Sequence, residues 1–200
     1  MLQVLGRATS GNVQKVLFLL EEAKIPYERK DYGRIFENTT LTPEYKAINP
    51  TQKVPTIVDG ELSVWESHTI LRYLAAKHGL TALYPADPAA RTHVERWMDW
   101  TLASLNAVYL GGFRDAKKSA EERAPDTVKN LVSELSILES QLEKHPWVAG
   151  EAMTLADVCM GPIVRRCIAF PFELPAMPKI SAWVKKLEAM PSFQKAVAAG

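Results

Sequence analysis

Residues 52–67, Gln52-Lys53-Val54-Pro55-Thr56-Ile57-Val58-Asp59-Gly60-Glu61-Leu62-Ser63-Val64-Trp65-Glu66-Ser67, constrain the fold more tightly than any other stretch of this chain. Pro55 has no backbone N–H to give to a sheet ladder, so it belongs at the first residue of a strand or on an edge, directly before the β-branched run Thr56 to Val58. Asp59-Gly60 then turns the chain. On the returning strand Leu62 and Val64 point one way and Ser63 and Trp65 the other, and Glu66-Ser67 opens a helix carrying Ile70, Leu71 and Leu74. The order is strand, tight turn, strand, helix. A cis Val54–Pro55 bond at this junction would turn the N–H and C=O of Val54 outward, free to pair with an extended peptide. Ser67 offers a hydroxyl and a backbone N–H at a helix start, where the dipole favours a carboxylate. The segment reads as a receptor for a tripeptide.

Upstream, Leu2 to Leu5 is a short apolar strand, and Val13, Val16, Leu17 and Leu20 stripe a helix that ends near Lys24, before Ile25-Pro26. Tyr27 to Tyr32 is predicted as a second strand. A polar, turn-rich connection runs from Gly33 to Pro50, with one helical turn at Pro43-Glu44-Tyr45-Lys46. Residues 1–80 therefore spell β-α-β then β-β-α, a small open sheet with helices packed on it. The prolines of Tyr84-Pro85-Ala86-Asp87-Pro88 mark a domain boundary, and no strand pattern follows.

Residues 86–200 are predicted to be an all-helical domain. Val94, Trp97, Met98, Leu102, Leu105 and Tyr109 lie along a long helix from Ala89 to Leu110, and Val128, Leu131, Leu135, Leu138 and Leu142 stripe the next. Thr154-Leu155-Ala156-Asp157 has the capping-box spacing, with Met153 and Val158 placed as a hydrophobic staple. Ile180, Trp183, Val184 and Leu187 mark a last helix stopped by Pro191.

Charge is nearly balanced at a formal +1, which calls for neither nucleic acid nor an anionic membrane as partner. No apolar run reaches the ~18 residues of a membrane span, and Met1 to Arg7 is too short for a signal peptide, so the expected location is cytoplasmic. Cys159 and Cys167 stand eight apart with no histidine cluster, matching neither a metal site nor a redox pair; they are expected to be buried thiols. His68, His78, His93 and His145 have no partner at catalytic spacing.

Taken in order, Ser10-Gly11-Asn12-Val13-Gln14-Lys15-Val16, Asn49-Pro50, Lys53-Val54-Pro55-Thr56, Trp65-Glu66-Ser67 with Ile70-Leu71-Arg72-Tyr73-Leu74, Gly150 with Thr154-Leu155-Ala156-Asp157, and Pro175-Ala176-Met177-Pro178 with Ala182-Trp183 span the whole chain. This pattern resembles the cytosolic glutathione transferases, in particular the bacterial theta-like and nu-like branch, which uses a serine or threonine near the end of the first strand. The resemblance implies an N-terminal thioredoxin-like βαβ-ββα domain, an all-helical C-terminal domain, a homodimer, a role in detoxification, and glutathione as cosubstrate with no cofactor or metal. It implies that Ser10 donates a hydrogen bond to the glutathione sulfur, assisted by Asn12. The backbone of Val54, ahead of Pro55, would pair with the cysteinyl unit, Glu66 would take the ammonium and Ser67 the carboxylate of the γ-glutamyl unit. Lys53 would neutralise the glycine carboxylate, with Gln52 as a further polar contact. By position, Tyr109, Phe113, Arg114, Arg166 and Phe170 would serve a small electrophile lying between the domains.

Each assignment has a plainer rival. Ser10 and Asn12 are residue types that any helix start favours, although no acid three residues after Ser10 completes a capping box. Thr9 is a rival hydroxyl. Glu66-Ser67 is an ordinary first turn, Lys53 an ordinary solvated charge, and Trp97, Trp100 and Met98 ordinary core. Two other functions also fit the motif set: glutathione-dependent disulfide or peroxide reduction, with both sulfurs supplied by glutathione because Ala8 to Asn12 contains no thiol, and a non-catalytic binding module on the transferase fold.

Overall fold

The computed structural model describes residues 1–197 and divides into two compact units, residues 1–81 with the C-terminal stretch from 189, and residues 82–188. In the first unit, β1 (Leu2–Leu5) pairs parallel with β2 (Tyr27–Lys30) and antiparallel with β3 (Thr56–Asp59), which forms a hairpin with β4 (Leu62–Trp65). The sheet order is β2-β1-β3-β4. Pro55 falls just before β3, where its missing N–H disturbs no ladder, and Gly60 (φ 65°) supplies the left-handed residue of the hairpin turn. The second strand stops at Lys30, short of the predicted Tyr32, yet the Tyr32 carbonyl still accepts from Arg7 N–H at 3.2 Å.

Helix α1 (Gly11–Glu22) is buried on more sides than its Val13, Val16, Leu17 and Leu20 stripe requires, because Phe18 and Leu19 are also fully covered. The cover is the chain's C-terminal end. Pro191, expected only to stop a helix, instead opens α9 (Pro191–Val197), where proline's fixed φ suits a first helical position. Phe193 of α9 meets Phe18 edge-on at 5.1 Å, and Lys195 pairs with Glu21 at 2.7 Å. Helix α2 (Pro43–Ile48) is longer than the single predicted turn, its first turn capped by Thr42, which accepts from Tyr45 N–H at 3.1 Å. Helix α3 (Ser67–Lys77) buries Ile70, Leu71 and Leu74 completely.

The second unit is helical throughout. α4 (Pro88–Trp100), capped by Asp87, runs through one π-helical turn (Thr101–Leu105) into α5 (Asn106–Asp115), so the predicted long helix is both longer and locally widened. At the junction the Thr101 hydroxyl donates back to the Trp97 carbonyl at 2.7 Å, a local competitor of the helical ladder. α6 (Thr127–Lys144) buries Leu131, Leu135, Leu138 and Leu142. α7 (Leu155–Ile168) starts at the predicted Thr154–Asp157 capping box, and α8 (Pro178–Glu188) follows. Asp157 is fully buried and accepts from Val148 N–H (3.0 Å), Thr154 N–H (2.9 Å) and Trp183 Nε1 (2.9 Å), tying the start of α7 to α8. Cys159 and Cys167 are buried thiols not joined in a disulfide, and burial pushes the Cys167 thiol up to about 12. Among the described residues, no helix is long and apolar enough to cross a membrane.

Candidate functional site

Ser10 occupies the N-cap position of α1 with extended backbone (φ −78°, ψ 122°), but its hydroxyl makes no capping bond. The cap is made by backbone alone: Ser10 N–H donates to the Arg7 carbonyl at 3.1 Å, and the Ser10 carbonyl accepts from Gln14 N–H at 2.9 Å. A capping role therefore does not account for the hydroxyl, which is left at the positive end of the helix dipole. Ser10 lines a cavity of about 510 Å³ together with Asn12, Gln52, Lys53 and Val54, five of the residues singled out from sequence. Thr9 is exposed and is not part of that lining.

Val54 and Pro55 are joined by a cis peptide bond, and the Val54 N–H and C=O take part in no hydrogen bond among the described residues. Val54 lies close against the first strand-helix junction because Gly6 has no side chain: a Cβ there would stand 2.6 Å from Val13 Cγ2 and 3.2 Å from Val54 Cβ. The turn leading to Val54 is held from beneath by a buried polar network. Asn49 Nδ2 donates to the Lys53 carbonyl and to Thr56 Oγ1, both at 2.9 Å, while Asn49 Oδ1 accepts from Thr51 N–H at 2.9 Å and from the Thr51 hydroxyl at 2.7 Å. The Tyr45 hydroxyl reaches the same Lys53 carbonyl at 2.8 Å and Thr56 Oγ1 at 2.9 Å, and burial raises its pKa. Gln52 adopts a left-handed backbone (φ 53°) and donates from Nε2 to the Thr40 carbonyl at 3.0 Å. Its amide thus braces the 33–42 loop, leaving exposed Lys53 as the charge of this turn.

Glu66, immediately before α3, has φ 67° and ψ 116°, a conformation that costs a non-glycine residue about 1–3 kcal/mol and tends to persist at functional sites. The strain turns the chain into α3 so that buried Ser67 sits at the helix start, its hydroxyl 3.5 Å from Asn12 Oδ1. Asn12 thereby links the start of α3 to the cavity at the start of α1. Glu66 makes no side-chain capping bond to α3.

Five further residues line the cavity that sequence reasoning did not single out: Arg7, Gly33, Arg34, Ile35 and Thr40. Four belong to the irregular 33–42 loop, which has no period to read. Arg7 belongs to the loop after β1. In the second unit, Tyr109 stacks on Phe170 (6.1 Å, 16°) and neighbours Phe113 at 6.1 Å, and Phe172, also missed, extends the cluster from Phe170 at 5.4 Å. Gly112 makes room for it, since a Cβ there would stand 2.7 Å from Phe170 Cε2. Arg114 is exposed at the end of α5, and Arg166 lies half-buried in the last turn of α7.

Two family models match the chain, "Glutathione S-transferase, N-terminal domain" over residues 9–77 and "Glutathione S-transferase, C-terminal domain" over residues 105–191. Glutathione S-transferase GstB of Escherichia coli is 31% identical over 98% of both chains, and the disulfide-bond oxidoreductase YfcG of the same organism is 29% identical over 95% of this chain and 92% of its own. Among solved structures, a glutathione-bound theta class glutathione S-transferase from Xanthomonas axonopodis pv. citri superposes with a TM-score of 0.89 at 33% identity, covering 98% of this chain and 96% of its own. Matches in both halves, in the order the fold requires and over nearly the full length of these relatives, have one meaning: the chain belongs to the glutathione S-transferase family.

Proposed function

We propose that this protein is a glutathione transferase in which Ser10 activates the thiol of glutathione for attack on a small electrophile. The carrying observation is the Ser10 hydroxyl, not engaged in capping at a helix N-terminus, lining the same cavity as the unpaired backbone of Val54. The Val54 N–H and C=O pair with the cysteinyl unit, which puts the cysteine sulfur beside Ser10. The γ-glutamyl end reaches toward α3, where Glu66 takes the ammonium and the Ser67 hydroxyl and helix dipole take the carboxylate. Lys53 faces the glycine carboxylate, and Gln52 contributes through the shape of its turn. Lowering a thiol from ~8.5 by roughly two units takes about 2.7 kcal/mol of preferential anion stabilisation, within reach of one charge-assisted hydrogen bond plus a helix terminus. The thiolate then forms a C–S bond as the leaving group departs with its electron pair, and the thiol proton passes to solvent.

Tyr109, Phe113 and Phe170 form an aromatic surface suited to an apolar acceptor, and Arg114 and Arg166 are cations suited to a polarised leaving group. A cytoplasmic, detoxifying homodimer is the setting we infer. The exposed Leu62 and Trp65 on edge strand β4, and Leu102 in the second unit, are apolar surface that a second copy would cover. Ser10→Ala tests the assignment: loss of a hydrogen bond to a charged group lowers kcat roughly 10–150-fold with glutathione affinity retained. Unchanged turnover overturns the role of Ser10. Similarity to the disulfide-bond oxidoreductase YfcG favours glutathione-dependent disulfide reduction as a second reading. Assays on 2-hydroxyethyl disulfide and on a chloronitrobenzene, run side by side, separate the two.

A further inference from the structure

We propose that Arg7 supplies the fixed positive charge that keeps the sulfur of bound glutathione ionised. The inference rests on assigning the cavity to glutathione. Arg7 lies three residues before Ser10 and its backbone is pinned on both sides, N–H to the Tyr32 carbonyl at 3.2 Å and carbonyl to Ser10 N–H at 3.1 Å. Its side chain is half-buried and packed against the cavity wall, with Nη1 3.4 Å from the point where a Cβ on Gly33 would stand. Neighbouring Arg29 is neutralised by Asp31 at 2.5 Å, whereas Arg7 makes no ion pair among the described residues.

The charges lining the cavity are Arg7, Arg34 and Lys53, with no carboxylate between them. Arg34 and Lys53 are exposed and screened by water; Glu66, beyond Asn12, is exposed as well. Arg7 is therefore the least screened charge near Ser10. At a separation on the order of 10 Å and an effective dielectric of ~20, a unit charge moves a thiol pKa by about one unit. The two groups act in complementary ways, the Ser10 hydroxyl giving direction and the Arg7 guanidinium a charge that no pH in the working range removes.

The test titrates the ultraviolet thiolate absorbance of glutathione bound at saturation to the wild type, Arg7→Lys and Arg7→Gln, with binding followed by calorimetry. Arg7→Gln is expected to raise the pKa of the bound thiol by about one unit, and Arg7→Lys to restore most of the difference. A bound thiol with unshifted pKa in Arg7→Gln overturns the proposal. So does a loss of binding in Arg7→Gln that Arg7→Lys restores with no change in thiol pKa, which would assign Arg7 to a carboxylate instead. Failure of the wild type to bind glutathione overturns the cavity assignment and this inference with it.

Discussion

Replacing Asn49 with alanine removes a side chain that is 1% exposed and makes four hydrogen bonds. At about 1 kcal/mol net for each, the loss would be about 4 kcal/mol if every partner were stranded. They are not all stranded. The Tyr45 hydroxyl still reaches the Lys53 carbonyl at 2.8 Å and Thr56 Oγ1 at 2.9 Å, and half-buried Thr51 turns to water. The expected cost is therefore about 2–3 kcal/mol, a urea midpoint lower by about 1 M for an m-value of 2–3 kcal/mol/M. Tyr45→Phe removes one hydroxyl and costs about half as much. Because both residues share the Lys53 carbonyl and Thr56 hydroxyl, the double variant should lose more than the sum of the singles. The network holds the turn that presents Val54, so the functional effect should fall on the KM for glutathione, roughly tenfold, with kcat within about twofold. Urea melts and steady-state kinetics on the same preparations check both parts. A stability loss under ~0.5 kcal/mol, or an unchanged KM, would refute the idea that Asn49 holds this turn in place.

Gly112→Ala should disturb the aromatic cluster: the new methyl would stand 2.7 Å from Phe170 Cε2, and the displaced ring outweighs the ~1 kcal/mol of added helix propensity. The KM for an aromatic acceptor should change several-fold while that for glutathione does not, as steady-state kinetics with each substrate varied will show. Asp115 accepts from Lys118, the Thr127 hydroxyl and Ala124 N–H, and these donors, Lys118 first, hold its carboxyl below the ordinary 3.8. A depressed carboxylate contributes stability above its unfolded pKa and loses it as pH falls through the folded one. Asp115→Asn should therefore narrow its stability gap to the wild type as pH drops below about 4, measured by denaturant melts across pH.

Much of the fold was legible because it is written in local chemistry. The 56–65 hairpin follows from Pro55, a β-branched run and Asp59-Gly60; the start of α7 follows from Thr154 and Asp157; the helices of the second unit follow from leucine stripes. Of the cavity lining, Ser10, Asn12, Gln52, Lys53 and Val54 were legible because they lie at such signals, a helix start and the turn before a proline-led strand. Arg7, Arg34 and Thr40 went unread because the loop they share a cavity with has neither period nor cap, and an arginine in a loop looks the same whether it faces water or a ligand. The Tyr45–Asn49–Thr56 network was invisible for a related reason: its bonds span 4 to 11 residues across three different local structures. Helix α9 was missed because Pro191 is equally good at ending one helix and beginning another.

The packing of α9 on α1 also sets the order in which the molecule can be completed. The helix that presents Ser10 carries Phe18 and Glu21 farther along, and their partners, Phe193 and Lys195, come only after residues 82–188. Between them the ribosome must deliver the whole of residues 82–188, which at roughly 5–20 residues per second is on the order of 5–20 s. During that interval the sheet can form, but the outer side of α1 stays wet. The start of α1 is thus made well before the helix that covers it, so a chain interrupted before α9 would carry Ser10 and Asn12 at the start of an apolar helix still open to solvent and to other unfinished chains.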